Sequence, residues 1–268
     1  MDDGSSDRTA EIAKKVGAEV IVHETNKGKG VALKTGFEAA EGSDIIVTMD
    51  SDGQHNPSDI PKLVAPILDG IADIVNGSRY LNGQDRATPL YRRAGQTILD
   101  SLTCVNSGLK ITDSQSGFRA FAGYTKDLFR FRSNGMAIES EMLADVGKAG
   151  LRIKEVEIGV RYDVDGSTMN PIKHGLNVLF KILKDMEFNR PLYYFTIPGI
   201  FLGTVGIYMG LTFLHNFSRG ETLYFGPTIL MILLTLVGVF MAFTGVMLNS
   251  MVNLMVESKL IRENIERK

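Results

Sequence analysis

Cysteine is almost absent from this 268-residue chain. Its one instance, Cys104, excludes an internal disulfide and any metal site built from several cysteines. A basic excess is absent too. Lys and Arg number 29 against 31 Asp and Glu, so no nucleic-acid partner is expected from bulk charge. Tryptophan is missing altogether. The opening Met1-Asp2-Asp3-Gly4 is polar and acidic and does not read as a signal peptide. No internal repeat or low-complexity tract is present.

Charge itself is missing from one region. Pro191–Phe217 is an uncharged run of 27 residues and Thr222–Val256 one of 35. Between positions 191 and 256 only Arg219 and Glu221 carry charge. A membrane-spanning helix needs about 20 apolar residues, so a simple cytosolic enzyme is excluded. The two runs predict a transmembrane hairpin over 191–256, with spans near 192–215 and 225–252. Lys181, Lys184 and Arg190 precede it, and Lys259, Arg262, Arg267 and Lys268 lie in a charged tail, 257–268. That distribution predicts a multi-pass membrane protein with catalytic domain and C-terminus in the cytoplasm. Gly199, Gly203, Thr204, Gly206 and Gly210 permit close helix contacts, and with them a homo-oligomer through the transmembrane helices.

Just before the hairpin, Leu176, Leu179, Phe180, Leu183 and Met186 recur at helical spacing, with Lys173, Lys181 and Lys184 among them. The pattern predicts an amphipathic juxtamembrane helix over 171–190 lying on the membrane surface. A helix packed on its own domain would show the same periodicity.

Upstream, strand-like and helix-like stretches alternate. The sequence predicts a helix from Ser6 to Lys15 and a short strand at Val20–Val22. A helix over Gly30–Ala40 and an apolar strand, Asp44–Met49, follow. A helix capped by Ser58, a strand at Asp73–Gly77 and a helix over Pro89–Ser107 come next. A polar loop, Asp113–Arg119, leads to a helix over Ala137–Lys148 and a strand over Arg152–Val160. This rhythm predicts an α/β fold, a mostly parallel sheet with helices on both faces, whose ligands bind beyond the carboxyl ends of the strands.

The sharpest local signal stands at such an end: Thr48-Met49-Asp50-Ser51-Asp52-Gly53-Gln54-His55. On an extended chain Asp50 and Asp52 lean the same way. Two carboxylates on one face repel unless a cation sits between them. Hard oxygen ligands suit Mg²⁺ or Mn²⁺, which keep waters and bridge phosphate oxygens, and Gln54 at the same parity adds a neutral oxygen. Alone, the motif reads equally as a solvated acidic turn. Two further turns change the balance. Asp2-Asp3-Gly4-Ser5-Ser6-Asp7-Arg8-Thr9 is an acidic turn opening a helix, and Asn26-Lys27-Gly28-Lys29-Gly30 offers backbone room and a cation. Together the three point to a nucleotide-diphosphate site on one rim.

These motifs, followed by Gly77-Ser78-Arg79 and Ser116-Gly117-Phe118-Arg119, resemble family 2 glycosyltransferases of the GT-A (Rossmann-like) fold. The spans behind an amphipathic helix resemble, more narrowly, dolichyl-phosphate mannose synthase-like and other polyprenyl-phosphate glycosyltransferases. The resemblance implies a catalytic domain over 1–170 with a Mg²⁺ or Mn²⁺ cofactor. The reaction it implies is an inverting transfer of one sugar from a nucleotide-sugar donor, GDP-mannose or a UDP-hexose, to a dolichyl or polyprenyl phosphate acceptor. It assigns Asp50, Asp52 and Gln54 to the metal and donor diphosphate, Asp3 to the nucleoside, and Lys29 and Arg119 to the donor region. Arg79, Arg93 and Thr97 match the lipid-phosphate pocket, and Arg161 lies in the segment that closes over the acceptor. Asp113, Ser116 and Arg119 fall in the loop beside the sugar, adjoined by Glu139 or Glu141. Asp52, Arg79, Arg93 and Asp113 form the expected catalytic group. Arginine suits phosphate because its planar donors bind two oxygens at once.

Two departures stand out. The family's Gly-x-Ser-Lys is Gly166-Ser167-Thr168 here, leaving Lys173 or His174 to supply the charge. Family members also begin with an apolar strand and helix before D-D-G-S. This chain starts at that turn, which predicts a truncated or misassigned start and exposed strand edges. A processive polysaccharide synthase is excluded, because its Gln-x-x-Arg-Trp motif needs a tryptophan. A transferase for another lipid or glycan acceptor stays open, as does a non-catalytic membrane-anchored scaffold with a degraded transferase fold.

Overall fold

The structure, a computed structural model, describes residues 1–81, 90–135, 137–159, 161, 171–220, 222 and 224–266. It divides into two units, 1–182 and 183–268, each described by itself.

The first unit is built on four short strands: β1 (Ile45–Thr48), β2 (Ile74–Ser78), β3 (Arg119–Ala122) and β4 (Ile153–Glu157). Their order is β1-β3-β2-β4. β3 runs antiparallel to both neighbours, whereas β2 and β4 pair in parallel. β1, β2 and β4 therefore share one direction, but by pairing the sheet is mixed rather than mostly parallel. The difference arises in β3, which the sequence pattern hides. It has four residues, opens on an arginine and follows a polar loop, yet every one of its residues is buried.

Strand alternation divides the core into two layers. Ile74 and Phe121 point toward α2 (Lys29–Ala39) and α5 (Ile138–Ala149), clustering with Phe37, Ile46, Phe129, Ile138, Met142 and Val146. Val75 and Ala120 point to the other face, where Leu63 of α3 (Ile60–Leu68) meets Phe118 and Ile158. Helices thus cover both faces, as expected. In the first layer the rings of Phe37, Phe121 and Phe129 meet edge-to-face with centroids 5.1 to 5.6 Å apart. Such a pair contributes about 0.5–1.5 kcal/mol beyond the area it buries.

Helix ends depart from expectation where side chains compete for backbone amides. α1 runs Thr9–Lys15 rather than from Ser6, because Asp7 accepts the Thr9 N–H at 3.0 Å and its hydroxyl at 2.5 Å. α1 buries none of its residues. Ahead of α3 a tight turn, Pro57–Asp59, intervenes: the Asn56 side chain caps it by accepting the Ser58 N–H at 3.1 Å, and Asp59, not Ser58, stands at the N-cap of α3. The predicted strand at 20–22 reduces to one parallel bridge between Asp2 and Val22. α4 (Leu90–Ser107) and α5 fall close to their predicted bounds, and β4 ends at Glu157.

α6 (Pro171–Asn189) carries two apolar rows instead of one stripe. Val178, Ile182 and Met186 are buried, while Leu176, Phe180 and Phe188 are exposed in register with the exposed Lys184.

In the second unit, a π-helical turn (Leu192–Thr196) leads into α7 (Ile197–Ser218), and α8 runs from Phe225 to Glu266. The predicted tail is therefore helical through 266. The stretches Leu192–Ser218 and Phe225–Leu254 are long and apolar enough to cross a membrane. Gly199, Gly203 and Gly206 are buried at the seam between α7 and α8, where a Cβ at Gly238 would overlap the Gly203 backbone. These small residues are used within the chain.

Candidate active site

β1 and β2 point the same way, so the residues that follow them share one rim. Just beneath that rim a polar row crosses the whole sheet: Thr48, Arg119, Asn76 and Glu155 lie abreast. Arg119 is only 2% exposed. It donates to Asn76 Oδ1 at 2.8 Å, to the Glu139 carbonyl at 3.0 Å and to the Ser114 carbonyl at 2.8 Å. Burial pulls its pKa below the ordinary value against the opposing pull of Glu139 and Asp113. Arg119, expected in the donor region, sits under the rim and ties β2, the 114–117 loop and α5 together.

Above it stands Asp50, its carboxylate resting on Gly117, where a Cβ would collide with it. The Lys29 ammonium lies 2.6 Å from Asp50 Oδ1 and 2.5 Å from Glu139 Oε1. Burial works to lower the Lys29 pKa, but Glu139 and Asp50 outweigh it and hold the group above its ordinary value. Asp52 is exposed and folds back onto its own loop, accepting the Gln54 N–H at 3.0 Å. The Gln54 carbonyl in turn accepts the Arg161 N–H at 2.9 Å, which brings the segment expected to close over the acceptor to the Asp50–Gln54 loop. His55 lies on the Phe118 ring, its side chain 7% exposed and its Nε2 3.9 Å from Asp50 Oδ2. Its Nδ1 has no partner among the described residues, and burial lowers its pKa.

The glycine turn is clamped from two sides. Asp3 accepts the N–H of Lys27 at 3.0 Å and of Gly28 at 2.7 Å, and meets His23 Nδ1 at 2.7 Å. Burial would raise the Asp3 pKa; the bonds from His23, Lys27 and Gly28 hold it below the ordinary value. On the other side Gly30 donates to the Asn134 carbonyl at 2.9 Å. Gly28 has φ of 92°, and a Cβ on it would overlap that same carbonyl. Glu141 stiffens the opposing loop by accepting the N–H groups of Arg132 at 2.6 Å and Ser133 at 2.8 Å. The two acidic residues of α5 therefore divide: Glu141 holds a loop, and Glu139 faces the site. The amides of Lys27, Gly28 and Gly30 are engaged, and the Lys29 ammonium is the charge the turn brings to the site.

After β2, Arg79 donates to Asp113 through Nε at 2.6 Å, Nη2 at 2.8 Å and its backbone N–H at 3.2 Å. Glu155 braces that pair from below. It accepts from Asn76 at 3.0 Å and from the N–H and hydroxyl of Thr112 at 2.8 and 2.9 Å. Arg93 and Thr97 occupy successive turns of α4, both exposed, with the Thr97 hydroxyl donating to the Arg93 carbonyl at 2.9 Å. Ser116 is buried and caps Phe118, its hydroxyl accepting that N–H at 3.3 Å. Gly166, Ser167 and Thr168 lie outside the described residues, as do the side chains of Lys173 and His174.

Among the described residues no three His, Cys, Asp or Glu side chains converge as a metal cage. Asp50, Asp52 and Gln54 nevertheless supply hard oxygens on one open loop. That donor set fits Mg²⁺ or Mn²⁺ completed by phosphate oxygens and water.

The sequence model described as glycosyl transferase family 2 matches residues 1–132. The UDP-N-acetylglucosamine–dolichyl-phosphate N-acetylglucosaminyltransferase of Methanococcus voltae is 36% identical over 206 residues, 68% of this chain and 80% of that protein. The chain belongs to glycosyl transferase family 2. A second relative, an uncharacterised protein of Methanocaldococcus jannaschii, is 38% identical over 194 residues, 70% of this chain and 80% of that one. Among solved structures, glucosyl-3-phosphoglycerate synthase from Mycobacterium tuberculosis in complex with phosphoglyceric acid is similar at a TM-score of 0.52 and 27% identity. That match covers 69% of this chain and 66% of the synthase. This family 2 protein is thus a glycosyltransferase of the GT-A fold, with two C-terminal helices forming an apolar hairpin.

Two structural residues of this glycosyltransferase, Asn76 and Glu155, belong to none of the sequence motifs. A signal existed for Asn76: it stands inside a strand whose five residues are all buried, and a buried amide needs partners. Nothing local marks Glu155, which alternates like any half-exposed strand residue.

Proposed function

We propose that this family 2 transferase moves one sugar, with inversion, from a nucleotide-diphosphate sugar to dolichyl or another polyprenyl phosphate at the cytoplasmic membrane face. One observation carries the reading: opposite chemistries end on the same rim, Asp50 and Asp52 after β1 and Arg79 after β2. The relative from Methanococcus voltae, whose name joins UDP-N-acetylglucosamine to dolichyl phosphate, supports the substrate class. GDP-mannose and UDP-glucose are the other candidate donors.

Asp50, Asp52 and Gln54 would hold Mg²⁺ or Mn²⁺, which neutralises charge on the departing diphosphate. Lys29 adds a second positive charge on the donor side. Arg79, kept in one orientation by Asp113, would bind the acceptor phosphate together with Arg93, Thr97 and Arg161. A lipid phosphate is already an anion, so its attack on the anomeric carbon asks little of a general base, and positioning does most of the catalysis. The exposed row Leu176, Phe180, Lys184 and Phe188 on α6 supports a juxtamembrane seat that brings the domain to its lipid.

The test is transfer of radiolabelled sugar from each of the three donors into an organic-extractable lipid. Product is expected with at least one donor, and Asp52→Asn is expected to lower it by about 100-fold or more with circular dichroism unchanged. No lipid product from any donor would overturn the acceptor assignment in favour of the scaffold alternative. Full activity of Asp52→Asn in EDTA would remove the metal.

A further inference from the structure

We propose that Lys29 is a built-in counter-ion of the cation site, which engages Asp50 until a nucleoside diphosphate arrives and so makes cation and nucleotide binding depend on each other. The inference rests on the metal-and-donor reading above.

One ammonium serves two carboxylates, 2.6 Å from Asp50 and 2.5 Å from Glu139. Neither end of this bridge can drift with the backbone. Lys29 stands between Gly28 and Gly30, which Asp3 and Asn134 fasten from opposite sides. Asp50 lies against Gly117. Glu139 is 3% exposed, and its Oε2 has no hydrogen-bond partner among the described residues. Arg119 spends its three described bonds on neutral oxygens. Among the described residues Lys29 is therefore the cation in direct contact with the Glu139 carboxylate.

A carboxylate already touching an ammonium is a poor ligand for a second cation, because a divalent ion at Asp50 would face that like charge within a few ångströms. A diphosphate relieves the conflict by offering the ammonium new oxygens and the metal extra ligands. Lysine suits such an exchange, being a compact charge on a flexible stem that can shift partner without moving the backbone. Binding linkage then requires that the cation tighten nucleotide binding by the same factor as the nucleotide tightens cation binding.

The experiment measures Mn²⁺ binding to the full chain in detergent by the electron paramagnetic resonance of free Mn²⁺. Titrations run without nucleotide, with UDP and with GDP, corrected for Mn²⁺ held by nucleotide alone. Wild type is expected to bind Mn²⁺ about tenfold or more tightly with one of the nucleotides than without. In Lys29→Met the nucleotide-free affinity is expected to rise about tenfold and the nucleotide effect to shrink correspondingly. The double variant Lys29→Met/Glu139→Gln, which removes the buried carboxylate left unpaired, is expected to keep the shrunken effect. Lys34→Met, which neutralises an exposed lysine of the same helix, is expected to change neither. An unchanged nucleotide effect in both Lys29 variants would overturn the inference alone. Wild type that binds no Mn²⁺ with either nucleotide would overturn the metal-and-donor reading and the inference with it.

Discussion

Strand β2 carries an arginine–aspartate clasp at each end, and the two clasps are almost the same object. At its start, Arg152 donates to Asp73 through its backbone N–H at 2.8 Å, Nε at 3.2 Å and Nη2 at 2.5 Å. At its end, Arg79 does the same to Asp113 with bonds of 2.6 to 3.2 Å. The surroundings differ. The Arg152 side chain is 59% exposed, against 23% for Arg79, and Asp113 is fully enclosed. Within the same rim lie buried atoms without partners among the described residues, on Glu139 and His55. A motif of two residues is therefore common scaffolding. What distinguishes the end proposed to be functional is a neighbourhood with buried polar atoms left unpartnered among the described residues.

The comparison breaks most visibly at the enclosed clasp. Asp113→Asn is expected to cut lipid-linked transfer about 100-fold and to destabilise the fold by about 3 kcal/mol, since it strips a buried pair of one charge. Undiminished transfer per folded molecule would reduce the rim clasp to scaffold. Asp73→Asn is expected to leave transfer unchanged while lowering the thermal midpoint by about 2–5 °C. Hydrogen bonds from Arg152 hold Asp73 down at about 2. Its contribution to stability is thus present above the ordinary carboxylate value and lost as pH falls through about 2. In Asp73→Asn that part of the acid transition should vanish from an acid-unfolding curve.

A gentler probe is Asp100 on α4, which accepts the Ser114 N–H at 2.8 Å beside the rim clasp. Burial pushes its pKa up to about 6. The folded state therefore favours the protonated form, and this advantage disappears as pH rises through about 6. Asp100→Asn keeps an acceptor for Ser114 and carries no charge. It should be more stable than the parent by about 2–3 kcal/mol at pH 7.5 and close to it at pH 4, as thermal melts would show. The smallest effect belongs to the exposed pair Arg8–Glu11 on α1, whose side chains are 71% and 49% exposed. Arg8→Ala should shift the melt by less than about 1 °C.

Much of this molecule was legible from spacing. Apolar length announced the hairpin, glycine and proline punctuated the helices, and a strand ending in Asp50-Ser51-Asp52 located the rim. The misreadings share a cause. β3 and the row Thr48–Arg119–Asn76–Glu155 exist through pairings between distant segments, and periodicity describes an element's own faces without saying what lies across from it. Arg119 shows the result. Its motif set it beside the expected site, and only the register put it under the rim. Likewise, the hairpin glycines announced close helix contacts, but spacing did not say that Gly199, Gly203 and Gly206 meet the second span of the same chain.

Gly117 sets a limit of another kind. Every single-base change of a glycine codon that replaces the residue introduces at least a Cβ, and at this position the nearest atoms that Cβ meets are those of the Asp50 carboxylate. The chain could accommodate the intruder by turning one short side chain aside. If Asp50 holds the proposed cation, variants at position 117 should accumulate in cells as folded, abundant and inactive protein.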